Sequence, residues 1–151
     1  MLHVALVEPE IPQNTGSIAR LAAATRTPLD LIGPLGFSLE DRYLKRAGLD
    51  YWPLVDLTVY AGWDEYVRAS HSGRMLAFAA KRDRLLTHCE LRPDDRLFFG
   101  KESVGLGADR LAAFADRVYS IPILEPGVRS LNLANAVGIV VYEAHRQLGT
   151  W

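Results

Sequence analysis

The chain has 151 residues, 49% of them hydrophobic, with 17 Lys and Arg against 18 Asp and Glu for a net charge of −1. This is the size of a single domain, 1–151, with apolar surface for one core, and the balance of charge excludes a polybasic arm or an acidic solvating tail. The lone Cys89 cannot close an internal disulfide, and no apolar run reaches the roughly 18 residues of a membrane span, so a cytoplasmic protein is expected, neither exported nor membrane-spanning.

His3 to Val7 reads as a buried strand, closed by Glu8-Pro9-Glu10-Ile11-Pro12, whose prolines forbid regular pairing. A helix is expected from Asn14 or Thr15, because Ile18, Leu21, Ala22 and Thr25 share one face, and Pro28 should end it. Leu29 to Ile32 reads as a second buried strand, stopped by Gly33-Pro34. Ser38 with Asp41 three residues on resembles a capping box for a short charged helix reaching Ala47 and closed by Gly48.

The alternation then repeats: an extended piece near Val55 to Tyr60, a helix near Asp64 to Ala69, and strands at Met75 to Ala79 and Leu97 to Gly100. Short apolar strands separated by helices predict an α/β fold, a mostly parallel sheet covered by helices on both faces. The last helix is expected from a cap at Ser130 to about Leu148. Between Leu131 and Tyr142 only Asn132, Asn135 and Tyr142 carry polar side-chain atoms. A helix so apolar needs cover on more than one side, which predicts a homodimer built on this C-terminal helix.

Several motifs fail. After Gly105 and Gly107, Arg110 stands where a dinucleotide-binding loop needs its third glycine. Gly100-Lys101 lacks the first glycine and the hydroxyl of a phosphate loop, and Lys101 before Ser103 replaces the glycine of a nucleophile elbow. His3, His71, His88 and His145 show no metal-ligand spacing, so no metal is expected.

Three turn-rich segments stand where strands should end: Glu8 to Arg20 (EPEIPQNTGSIAR), Phe99 to Gly107 (FGKESVGLG) and Ile121 to Leu133 (IPILEPGVRSLNL). Ligands of open α/β sheets collect at strand carboxyl ends, so three such loops suit one site. At these residues, and at Arg46-Ala-Gly-Leu-Asp-Tyr51, the chain resembles the SPOUT superfamily of methyltransferases, within it the small stand-alone enzymes that methylate the ribose 2′-oxygen of the wobble nucleotide in certain leucine tRNAs. The resemblance spans nearly the whole chain, with the three motifs in the family order. It implies a C-terminal trefoil knot, which the general rule against knotted chains would have excluded.

The resemblance also implies S-adenosylmethionine as cofactor, held by Phe78, Gly100, Glu102, Gly105, Ile121, Ser130, Leu131 and Leu133. The chemistry agrees, since an adenine ring needs apolar walls and close-lying backbone groups, and Gly100 permits that approach. Arg20 points away from its helix's apolar face, as a solvated Arg would, yet the motif Asn14 to Arg20 marks it as catalytic. A guanidinium holds its proton too firmly to act as a base, so its expected role is to stabilise the developing alkoxide. Arg129 and Asn132 are expected to orient the ribose or a phosphate, with the hydroxyl about 3 Å from the methyl carbon. The expected partner is the anticodon stem-loop of a tRNA, held at Asn14 and by clusters at Arg42, Lys45, Arg46 and at Lys81, Arg82, Arg84. Tyr43, Tyr51 and Trp52 are placed to stack on bases or to pack inside.

Overall fold

The computed structural model describes residues 1–48 and 50–151. Six strands, β1 (His3–Val7), β2 (Leu29–Ile32), β3 (Leu57–Tyr60), β4 (Met75–Phe78), β5 (Arg96–Phe99) and β6 (Val118–Tyr119), form one sheet in the order β3-β2-β1-β5-β4-β6. Every pairing is parallel, with Val4 of β1 aligned to Leu29 of β2 on one side and Leu97 of β5 on the other. The α/β expectation therefore holds. The alternation also explains the burial of β1: Val4 and Leu6 belong to one core cluster, Ala5 and Val7 to another on the opposite face.

The first cluster is covered by α1 (Pro12–Thr25) through Ile18 and Ala22, and by α5 (Leu133–Leu148) through Val137, Val140 and Val141. The second is closed by Tyr66 of α3 (Trp63–Arg68), by Leu111 of α4 (Ala108–Ala112) and by Phe114. The short α2 (Arg42–Gly48) carries Leu44 into the interior and leaves Arg42, Lys45 and Arg46 in solvent.

Four local expectations need correction. Helix α1 begins at Pro12, not Asn14, because a proline at the first helical position gives up only an N–H that the helix leaves unbonded. It ends at Thr25 with Arg26 in the left-handed conformation (φ 51), before Pro28 can act. The cap of α2 is Asp41, whose carboxylate accepts from the backbone N of Tyr43 at 2.8 Å, while the Ser38 hydroxyl accepts from the N of Glu40, before the helix begins. The cap of α5 is Asn132, not Ser130: its side-chain oxygen accepts from the N of Asn135 at 3.2 Å. The strand expected to end at the Ile121 segment is the two-residue β6, and α4 has no counterpart among the expected helices.

A buried ion pair crosses the sheet. Arg96 donates to the Asp30 carboxylate at 2.9 Å and to the Tyr66 hydroxyl at 3.0 Å. Burial pushes the Tyr66 phenol well above its usual range, so the phenol stays protonated. No helix of the described residues is long and apolar enough to cross a membrane.

Candidate active site

Chain order along the sheet turns back between β1 and β5: β2 and β3 lie to one side of β1, and β5, β4 and β6 to the other. Crevices form at the carboxyl ends of strands where the order reverses. A cavity of about 490 Å³ lies there. Its walls come from the loop after β1 (Ile11, Asn14), the ends of β4 and β5 (Phe78, Phe99), the turn from Gly100 to Leu106, Ile121 and Ile123 beyond β6, and the segment Arg129 to Leu133. The volume lies within the usual range for a small-molecule site, roughly 300 to 1,000 Å³.

All eight residues expected at a cofactor, Phe78, Gly100, Glu102, Gly105, Ile121, Ser130, Leu131 and Leu133, line this cavity, together with Arg129, Asn132 and Asn14. Arg20, Arg42, Lys45, Arg46 and Lys81 do not. Arg20 lies on the exposed side of α1, its guanidinium 4.7 Å from the centre of the Tyr51 ring and one nitrogen 3.3 Å from the Tyr51 hydroxyl. Lys45 pairs with Glu40, and Arg42 reaches the Tyr43 hydroxyl. Lys81 donates to the Pro126 carbonyl at 3.3 Å, which ties it to the loop leading into the cavity.

The floor is aromatic, with Phe78 and Phe99 stacked at 5.3 Å between ring centres. Gly100 has a firm steric reason. A Cβ there would stand 2.1 Å from the carbonyl carbon of Gly105 and 2.2 Å from the N of Leu106, so the returning turn leaves room for hydrogen alone. Gly105 itself sits at φ 70, a conformation that suits glycine.

Carboxylates stitch the loops together. Glu102 accepts from the backbone N of Glu10 (2.8 Å) and Ile11 (3.1 Å) and from the Asn14 amide (3.2 Å), supplying the start of α1 with the acceptor its own cap residue Ile11 lacks. Glu10 accepts from the Ser103 N (3.0 Å) and hydroxyl (2.6 Å), and these bonds hold its carboxyl below the ordinary carboxylate range. Asn132 donates to the Asn14 side-chain oxygen at 2.9 Å, joining the third loop to the first.

Sequence reasoning missed Glu10 in this stitch, and missed the cluster beside it in which the Glu8 carboxylate accepts from Arg110 at 2.8 and 3.0 Å and lies 3.4 Å from the Lys101 ammonium. The available signal was complementary charge: two acids in the first loop, Lys101 and Ser103 in the second, and Arg110 just beyond it.

A model of the SpoU rRNA methylase family matches residues 1–142. The chain belongs to that family. Among SpoU relatives, a tRNA (cytidine(34)-2'-O)-methyltransferase of Escherichia coli K12 is 43% identical over 150 residues, covering 99% of this chain and 95% of the relative. A solved structure concerned with the 2-OH methylation of C/U34 on tRNA superposes with a TM-score of 0.94 at 49% identity, covering 100% of this chain and 98% of that one. An AdoMet-bound rRNA methyltransferase of Sinorhizobium meliloti superposes with a TM-score of 0.85 at 26% identity, over 97% of this chain but 56% of that longer chain.

Proposed function

We propose that this single-domain chain is an S-adenosylmethionine-dependent methyltransferase acting on the ribose 2′-oxygen of nucleotide 34 of tRNA, with leucine tRNAs as its substrates. The observation that carries this reading is the convergence of three sequence-distant loops on one cavity, in a chain that is similar along its whole length to wobble-position enzymes. The longer rRNA enzymes match over little more than half their length, which favours the compact tRNA group.

The cavity fits the cofactor. Phe78, Ile121, Leu131 and Leu133 supply apolar walls for an adenine ring, and the cramped turn at Gly100 brings bare backbone to its edge. When bound, S-adenosylmethionine supplies a methyl group made electrophilic by its sulfonium. The chain's own residues act on the acceptor. Asn14 and Asn132, hydrogen-bonded to each other, present polar atoms at the cavity rim to orient the ribose. Arg129, exposed on the same rim, takes the adjoining phosphate. Arg20 stabilises the alkoxide as the hydroxyl proton leaves, acting as a fixed positive charge.

Since Arg20 does not line the cavity of its own chain, this reading includes a homodimer in which each subunit offers Arg20 to its partner's cavity. The outer side of α5 supports it, exposing Ile139 and Tyr142 beside Trp151. The reading also includes the knotted C-terminal threading and a cytoplasmic location. In the deciding experiment the purified protein, labelled S-adenosylmethionine and leucine tRNA are combined, and nucleosides are analysed by mass spectrometry. Label on the 2′-oxygen of residue 34 is expected; label elsewhere, or none, overturns the assignment. Arg20→Ala should abolish transfer and leave cofactor affinity unchanged.

A further inference from the structure

We propose that Glu8 is a positioning residue that staples both ends of the segment from Lys101 to Arg110, whose first half forms one wall of the cavity, and so sets the affinity for the methyl donor. The proposal rests on the cavity being the donor site.

Glu8 stands one residue beyond β1 with its backbone at φ 52, a left-handed conformation uncommon for a residue with a side chain. Its N donates to the Ile32 carbonyl at 2.7 Å, so the main chain is anchored in the sheet. From this position its carboxylate receives both guanidinium nitrogens of Arg110, at 2.8 and 3.0 Å, and lies 3.4 Å from the Lys101 ammonium. Lys101 opens the segment directly after Gly100, and Arg110 closes it inside α4. A single carboxylate therefore pins the start and the finish of one loop.

The span between those anchors needs help. Within it Leu106 alone is anchored in the core, while Val104 is 69% exposed and Gly105 and Gly107 both have positive φ, at 70 and 80, so the buried leucine is flanked by two permissive hinges. The staple itself is partly sheltered, with Glu8 only 16% exposed, and paired two-point with Arg110, the geometry in which an ion pair contributes most. The Arg110 guanidinium also holds the Glu8 carboxyl below the usual carboxylate range, keeping it charged at neutral pH. Neither Glu8 nor Arg110 lines the cavity, so each acts on a bound donor only through the wall.

The experiment measures S-adenosylmethionine affinity by calorimetry, together with kcat at saturating donor, on full-length variants. Glu8→Gln and Arg110→Met are each expected to weaken binding about tenfold, with kcat within about twofold of the parent. Combining them should add less than about twofold, because each breaks the same link. Arg110→Lys should recover part of the affinity, and Lys101→Met, at a partly exposed position, should cost about threefold. If Glu8→Gln fails to fold, Lys101→Met and Arg110→Lys carry the comparison. Unchanged affinity in folded Glu8→Gln overturns the proposal, as does a loss of thermal stability and kcat with unchanged affinity. Ile121→Glu, which blocks the cavity away from the staple, separates the two readings: unchanged affinity there means the cavity is not the donor site, whereas loss there without loss in Glu8→Gln sinks the staple alone.

Discussion

The amide of Asn132 donates to the side-chain oxygen of Asn14 at 2.9 Å, joining residues 118 positions apart. Each partner has a second commitment: Asn14 donates to Glu102, and Asn132 accepts from the N of Asn135 at the start of α5. Asn132 is therefore a helix cap and a tie between loops at once, and the two duties can be separated. Asn132→Ala removes both and should lower stability by about 1 to 2 kcal/mol in urea unfolding. Asn132→Asp keeps the cap but sets a carboxylate oxygen against the oxygen of Asn14. It should leave helix stability near the parent value and still cut methyl transfer at least tenfold in a single-turnover assay.

Gly100 offers a steric test. Its missing Cβ leaves the room that the backbone of Gly105 and Leu106 occupies, and backbone cannot move aside as a flexible side chain can. Gly100→Ala should cost about 1 to 3 kcal/mol of stability by overpacking and abolish detectable cofactor binding in calorimetry. Gly107→Ala meets no atoms, and its strain is conformational alone, so its effect on binding should be several-fold smaller.

The buried pair of Arg96 and Asp30 holds the sheet, far from the reaction. Arg96→Met would leave the buried Asp30 carboxylate with only the His3 ring, 3.8 Å away, as a charge partner, at a cost of about 3 to 5 kcal/mol read from the urea midpoint. Replacing both, Arg96→Met with Asp30→Leu, removes the charge along with its partner and should recover much of that loss. Retained stability in the single variant would show that water reaches Asp30.

Acid sensitivity should come in part from histidines. Burial lowers the pKa of His71, stacked on Tyr66 at 4.0 Å, and of His145, which contacts Thr27 and Thr150. The folded chain thus refuses protons that the unfolded chain accepts near pH 6.5, so stability is full above that value and falls as pH drops through it toward the lower folded pKa. A plot of Tm against pH from about 7 to 5 should slope downward on acidification, and the double variant His71→Phe with His145→Gln should flatten it. An unaltered slope would assign the sensitivity to other groups.

The strands were legible because parallel strands buried on both faces read as short apolar runs, and β1 and β2 follow those runs residue for residue. Helix ends were harder. Ser38, Asp41, Ser130 and Asn132 all have capping chemistry, and only the backbone's path decides which oxygen meets a free N–H. Turn chemistry made the three loops legible as strand ends, and the family resemblance picked out within and beside them the residues that line the cavity. The pairing of Glu8 with Arg110 was not legible, since the two meet only when β1 and α4 are brought together by the sheet. The resting place of Arg20 on Tyr51 was hidden for the same reason: 31 residues separate them, and no periodicity links a helix face to a distant turn.

The cavity draws one side from near Glu10, another from near Gly100 and a third from Arg129 to Leu133. While the ribosome is still making this protein, the residues of all six strands have been added by position 119, yet the pocket has a missing side until residue 133 emerges. On the proposed reading of the pocket, donor recognition is thus a late event in biosynthesis, and a polypeptide clipped by a protease just ahead of Ser130 would lose both that side and the α5 cover of the first core cluster.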